Sequence, residues 1–202
     1  MKLRKVFWLA LIAIMTMALA ACGGDDDGGD DNGGGDSSEL SQTASFEDTE
    51  AGFTLTINYP EGWATNTDDG ITLANSEEAI ALVNGNTAPT DGQAGGLFIP
   101  LPADQLGVEG TAELAFQAAQ GFLLAEAEVG EPEAITVDGN DGLRSTGTLD
   151  FQDSGTIVDY ALYVVPINDI FVLGYFLAEE GGISDHLSTL DAVFSSVNLS
   201  TE

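Results

Sequence analysis

Few residues in this chain could do chemistry. His186 is its one histidine, with Asp185 beside it and Ser184 and Ser188 nearby. A serine nucleophile needs an imidazole that faces it and an acid that orients that imidazole. Neighbouring residues on one helix do not face each other in this way, and the strand–turn–helix motif G-x-S-x-G is absent. No catalytic residue is therefore assigned. The 34 acidic residues are too numerous for spacing to single out an acid/base pair, and one histidine with one cysteine leaves no zinc ligand set. No metal site and no cofactor is expected. Arg144 is the only cation after position 5; a guanidinium there could grip an anionic ligand through paired hydrogen bonds, or could sit in a salt bridge with nearby acids. Tyr59 and Trp63 flank Pro60-Glu61-Gly62 and could line a ligand patch or pack into the core. Trp63, Tyr59 and Arg144 are the candidate ligand-binding residues.

The remaining reactive group is the thiol of Cys22. It is the chain's one cysteine, so neither an internal disulfide nor a redox pair is possible. Lys2, Arg4 and Lys5 open the chain, and Val6 to Ala21 follow with Thr16 as their only polar residue. Positive start, apolar core and small residues make the order of a secretory signal. As a helix this apolar run rises only about 24 Å, short of the roughly 30 Å hydrocarbon core. Leu19-Ala20-Ala21-Cys22 resembles the bacterial lipobox. That resemblance implies that residues 1–21 are a signal peptide, cut between Ala21 and Cys22, and that lipid joins the Cys22 sulfur. Each buried methylene adds about 0.8 kcal/mol of membrane affinity, and more than one acyl chain is needed for stable attachment. The expected first partner is a membrane, held through lipid on Cys22, with the rest of the chain extracytoplasmic.

Beyond that cut the chain keeps one arginine against all 34 acids, a formal charge of −33 with no lysine. Such a field repels nucleic-acid phosphates, which excludes nucleic acid as a partner. It favours solubility and could gather cations weakly or attract a basic partner. It is also the composition of a protein that works in high salt or in an acidic exterior. Gly23 to Ser38 holds only Gly, Asp, Asn and Ser, with nothing to bury against the entropy of ordering. Residues 22–40 therefore read as a lipidated cysteine and a disordered Asp/Gly tether, with Gly23 to Ser38 spanning about 22 Å as a flexible coil and more under self-repulsion. The spacing of a calcium-binding loop is absent from it.

Residues 41–202 are long enough for one domain with a substantial core. Glu39 to Glu50 reads as a polar lead-in. Phe53 to Tyr59 alternates as a half-buried strand, and Ile71 to Ala74 and Ala79 to Val83 read as short strands. Leu97 to Ile99 is a strand stopped by Pro100 and Pro102. Thr111 to about Glu128 has helical periodicity, with Leu114, Ala118, Gly121, Phe122 and Ala125 on the inner face. Ala134 to Val137 and Leu143 to Phe151 flank the turn-forming Asp138-Gly139-Asn140-Asp141-Gly142. Thr156 to Val165 and Ile170 to Leu177 are almost continuously apolar and predict central strands covered on both faces. Ser184 caps a last helix to about Ser196, facing inward through Leu187, Leu190, Val193 and Phe194. The pattern predicts an α/β fold: a mainly antiparallel sheet with helices on both faces.

Four features together resemble the PsbP-like domain family: the first strand leading into Tyr59-Pro60-Glu61-Gly62-Trp63, the mid-chain helix, the hairpin at Gly142, and Leu190 to Ser196 near the end. They span most of residues 46 to 199. The resemblance implies an α/β/α sandwich with an antiparallel central sheet. It also implies a binding or assembly module rather than an enzyme, since the family includes photosystem accessory proteins and many bacterial lipoproteins. No ion-binding residue of the family matches this chain, and the acidity and missing lysines depart from a photosynthetic subunit. The expected function is a membrane-anchored, noncatalytic accessory module that binds a protein or envelope component. The alternative is a small-ligand or cation binder, or a hydrolase using surface carboxylates.

Overall fold

The computed structural model describes residues 39–68, 70–83, 87–90, 92–106, 111–124 and 127–201. The expected signal peptide, its Ala21–Cys22 cleavage site and the tether at Gly23 to Ser38 lie outside the described residues. The chain runs β1 (Leu40–Asp48), β2 (Phe53–Pro60), β3 (Ala64–Asn66), β4 (Ile71–Ala74) and helix α1 (Glu77–Val83). Next come β5 (Ala94–Pro102), a single turn α2 (Ala103–Leu106) and helix α3 (Ala112–Leu123). Strands β6 (Glu128–Val129), β7 (Glu133–Val137), β8 (Asn140–Asp150), β9 (Ile157–Ile167) and β10 (Ile170–Glu179) lead to helix α4 (Ile183–Ser195) and β11 (Asn198–Thr201).

Among the described residues every strand pair is antiparallel. The large sheet has the order β3-β4-β5-β10-β9-β8-β6, with β7 also on β8, and a small sheet has the order β1-β2-β11. β9 and β10 are central, as their continuous apolar runs predict, because each must be covered on both faces. One face carries α4 and the small sheet over a core that includes Leu55, Ile57, Tyr163, Phe176 and Phe194. The other carries α3 over Tyr160, Leu162, Val164 and Leu173. This is the α/β/α arrangement the sequence predicts. The addition is that β1, β2 and β11 form a sheet of their own instead of joining the central one. Gly62, at φ 87°, turns the chain between β2 and β3, which belong to different sheets.

Four local expectations are corrected. Glu39 to Glu50 is not a lead-in but mostly strand β1, whose polar residues bond across to β2: the Thr43 hydroxyl donates to Asn58 at 3.0 Å, and Ser45 and Thr56 share a hydrogen bond at 3.0 Å. Ala79 to Val83 is helix, not strand. Ser76 accepts the Ala79 N–H at 3.1 Å, Glu77 and Glu78 suit the positive helix start, and Ala79 and Leu82 bury together one turn apart. β5 runs through Pro100 and Pro102. Beyond Phe98 it has β10 on one side and no β4 partner on the other, so a missing N–H can face an open edge. Ser184 does not cap α4, which opens one residue earlier at Ile183; its hydroxyl donates to the Gly181 carbonyl at 3.3 Å.

The inner face of α3 is also different from the expected one. The helix buries Ala115, Phe116 and Ala119, while Leu114 and Phe122 are 45 % and 52 % exposed. Ala118 is half-buried, Gly121 is exposed, and Ala125 lies outside the described residues. Two small alanines let the helix backbone approach the sheet closely, and that contact outweighs the larger Leu114 and Phe122 on the other flank.

Candidate functional site

The sequence candidates do not come together: Trp63 meets α4 at His186 and Arg144 meets it at Asp191. Trp63 is half-buried against the large core, and its ring meets His186 edge-on, with centroids 6.2 Å apart and planes at 80°. Tyr59 packs against the same core at the end of β2. Burial lowers the pKa of His186, with Asp185 and Glu179 opposing that shift, so the fold favours its neutral form. The imidazole thus spends its contact on an aromatic ring rather than on a serine, and Ser184 points at Gly181.

Arg144 is held by two carboxylates. It faces Glu133 in the β7–β8 register and forms an ion pair with it, and its second nitrogen donates to Asp191 Oδ2 on α4 at 2.5 Å. The Tyr163 hydroxyl donates to the other oxygen of Asp191 at 2.8 Å. Burial works against the charge on Arg144, but the bonds to Asp191 and Glu133 win and raise its pKa. Burial, followed by the Asp191 charge, raises that of Tyr163. The network ties α4 to β7, β8 and β9. Arg144 is only 18 % exposed, but Asp191 is 42 % exposed and keeps its bond from Tyr163. Arg144→Met should therefore lower stability by about 1 kcal/mol in urea unfolding, through the loss of the charge-assisted bonds. A loss within about 0.3 kcal/mol would show the pairing to be solvent-screened and unimportant.

Among the described residues a shallow groove lies elsewhere, and none of Tyr59, Trp63 and Arg144 lines it. That groove, of about 490 Å³, runs between α3 and the segment joining β6 to β7. Glu113, Phe116, Gln117 and Gln120 form the helix wall, Val129 to Pro132 the strand wall, and Leu143 of β8 contributes from the sheet. The strand wall is anchored. The Gly130 N–H donates to the Thr146 carbonyl at 3.0 Å, and the Ser145 hydroxyl donates to the Gly130 carbonyl at 3.0 Å. A Cβ at Gly130 would lie 2.3 Å from the Thr146 oxygen, so only glycine allows this approach. Behind it the Tyr160 hydroxyl is buried near Ser145 and Gly130 without a well-formed hydrogen bond to either. Burial raises its pKa, keeping it a neutral phenol. At the groove mouth, the Thr111 side chain and the backbone at the helix start hold the Glu113 carboxyl below its ordinary pKa, hence anionic.

The groove presents two carboxylates, two amides and apolar side chains, with no serine, cysteine or histidine among the lining residues. Among the described residues no cluster of three or more His, Cys, Asp or Glu could hold a metal ion, and no helix is long and apolar enough to cross a membrane. The groove was not legible from residue types, since glutamate, glutamine and valine carry no motif. Its one trace in the sequence is that α3 has apolar residues on more than one face.

No protein-family model matches the chain, and no characterised protein matches it by sequence. Solved structures do match by fold. LpqN, involved in cell envelope biogenesis of Mycobacterium tuberculosis, superposes with a TM-score of 0.53 at 14 % identity, over 80 % of this chain and 91 % of LpqN. Cyanobacterial PsbP from Synechocystis sp. PCC 6803 matches at a TM-score of 0.42 and 17 % identity, over 85 % of this chain and 98 % of its own. The Saccharomyces cerevisiae Ran-binding protein Mog1p matches at 0.46 and 12 %, over 78 % and 95 %. The likeness is one of architecture alone: the chain shares its overall fold with LpqN.

Proposed function

We propose that this chain is an extracytoplasmic lipoprotein, held to a membrane through lipid on Cys22, whose folded domain is a noncatalytic module that binds a protein or envelope component. The observation that carries the binding half is the groove beside α3, which offers carboxylates, amides and apolar surface but no nucleophile–base pair. The lipobox-like Leu19-Ala20-Ala21-Cys22 after a charged and apolar start supports the anchor. LpqN's involvement in cell envelope biogenesis agrees with an envelope setting.

Cell fractionation tests the reading. The wild-type chain should sediment with membranes and be released by detergent but not by salt, because acyl chains hold by hydrophobic transfer and not by charge. Cys22→Ser should leave the membrane fraction or accumulate as the uncut precursor. Wild-type attachment and wild-type mobility in Cys22→Ser would rule the reading out.

A further inference from the structure

The groove beside α3 carries a charge that the chain itself cannot neutralise. Glu113 stands on its helix wall and Glu131 on its strand wall, with Phe116, Val129, Pro132 and Leu143 as apolar lining and no basic residue among them. The one cation of residues 39–202, Arg144, is already held by Glu133 and Asp191. A second copy of the chain would bring the same acidic surface and the same committed arginine, so self-association adds repulsion. An anionic lipid surface is repelled for the same reason.

We propose that the groove docks an extended segment of a protein partner bearing lysine or arginine beside aliphatic side chains, an inference that rests on the binding-module reading above. Carboxylates on both walls of an apolar groove complement a cation on an apolar stem, as the side chains of lysine and arginine are. The extended form follows from the strand wall. β6 is the last strand of the large sheet and β7 pairs with β8, so among the described residues no strand covers their outer edge. A peptide running along that edge can add main-chain hydrogen bonds to its side-chain contacts. Val129, 37 % exposed, provides apolar contact at the rim. The Gly130 anchors to Ser145 and Thr146 hold the wall in place before binding, which lowers the cost of ordering it.

The test is calorimetric titration of the full chain, in nonionic detergent micelles, with a peptide of alternating lysine and valine. A glutamate–valine counterpart and spermine are the comparison probes. The lysine–valine peptide should bind and the glutamate–valine peptide should not. Glu113→Gln combined with Glu131→Gln should weaken binding about tenfold, and Val129→Gln, which leaves the charge alone, about threefold. Glu77→Gln with Glu78→Gln removes the same charge on α1, which packs on β4 and β5 toward the opposite edge of the sheet, and should change affinity by less than about twofold. Equal weakening by that remote pair would reduce the binding to diffuse attraction and overturn the proposal. So would spermine binding as tightly as the peptide, or no binding of the peptide. Failure here with Cys22-dependent membrane attachment intact would leave the tethered module standing, and failure of attachment would leave the groove result as measured.

Discussion

Phe194→Ala is expected to destabilise the domain by about 3–5 kcal/mol, measured by urea or thermal unfolding. The ring is 1 % exposed and lies between two other aromatics, stacked on Tyr163 at 4.6 Å and on Phe98 at 5.4 Å. Phe176 completes the group, edge-on to Phe98 at 5.3 Å. Beneath it Gly174 leaves the room the ring occupies, since a Cβ there would lie 2.4 Å from Phe194. Surroundings this tightly fitted cannot collapse into the gap, so the cavity cost adds to the lost transfer energy. For a domain of this size the midpoint temperature should fall by about 10 °C. A loss below about 1 kcal/mol would mean that α4 is not seated on the sheet as described.

The second large effect comes from charge. Residues 39–202 carry 28 of the 34 acids and a single arginine. Folding gathers these like charges into a smaller volume, and screening decides how strongly they repel. The screening length falls from about 10 Å at 0.1 M salt to about 3 Å at 1 M. Salt also weakens the Arg144 pairs, but those are two contacts of one cation against many like-charge repulsions, so the net effect is stabilising. The midpoint temperature should therefore rise by about 10 °C between those salt concentrations. A flat or falling curve would show that the carboxylates are spaced widely enough for water alone to screen them.

How far an element shows in sequence depends on what determines it. β9 and β10 were legible because a strand buried on both faces must be apolar throughout, whatever surrounds it. The hairpin between β7 and β8 was legible too. Asp138 and Gly139 both have positive φ, which a two-residue turn needs and which this residue pair tolerates. β1 was missed because it is an edge strand that buries only Ala44 and otherwise presents polar or half-exposed residues. The inner face of α3 is not legible in sequence because periodicity identifies an apolar stripe but not its partner. Leu114, Ala118 and Phe122 make one stripe, Ala115, Phe116 and Ala119 another, and only the sheet decides between them.

At the sites the division is similar. Glu133 as partner of Arg144 follows from the hairpin register, whereas Asp191 comes from a helix 47 residues away in sequence. The meeting of Trp63 with His186 joins the end of the first hairpin region to the last helix, and no local pattern announces it. The groove needs α3, the β6–β7 segment and β8 together, and its walls become walls only because Gly130 docks on Ser145 and Thr146.

Mass spectrometry of the N-terminal peptide from the native, membrane-extracted protein decides whether Cys22 is the lipid anchor. The expected result is a chain that begins at Cys22 and carries diacylglycerol in thioether linkage on its sulfur. An intact Met1, or an unmodified thiol at position 22, would contradict it.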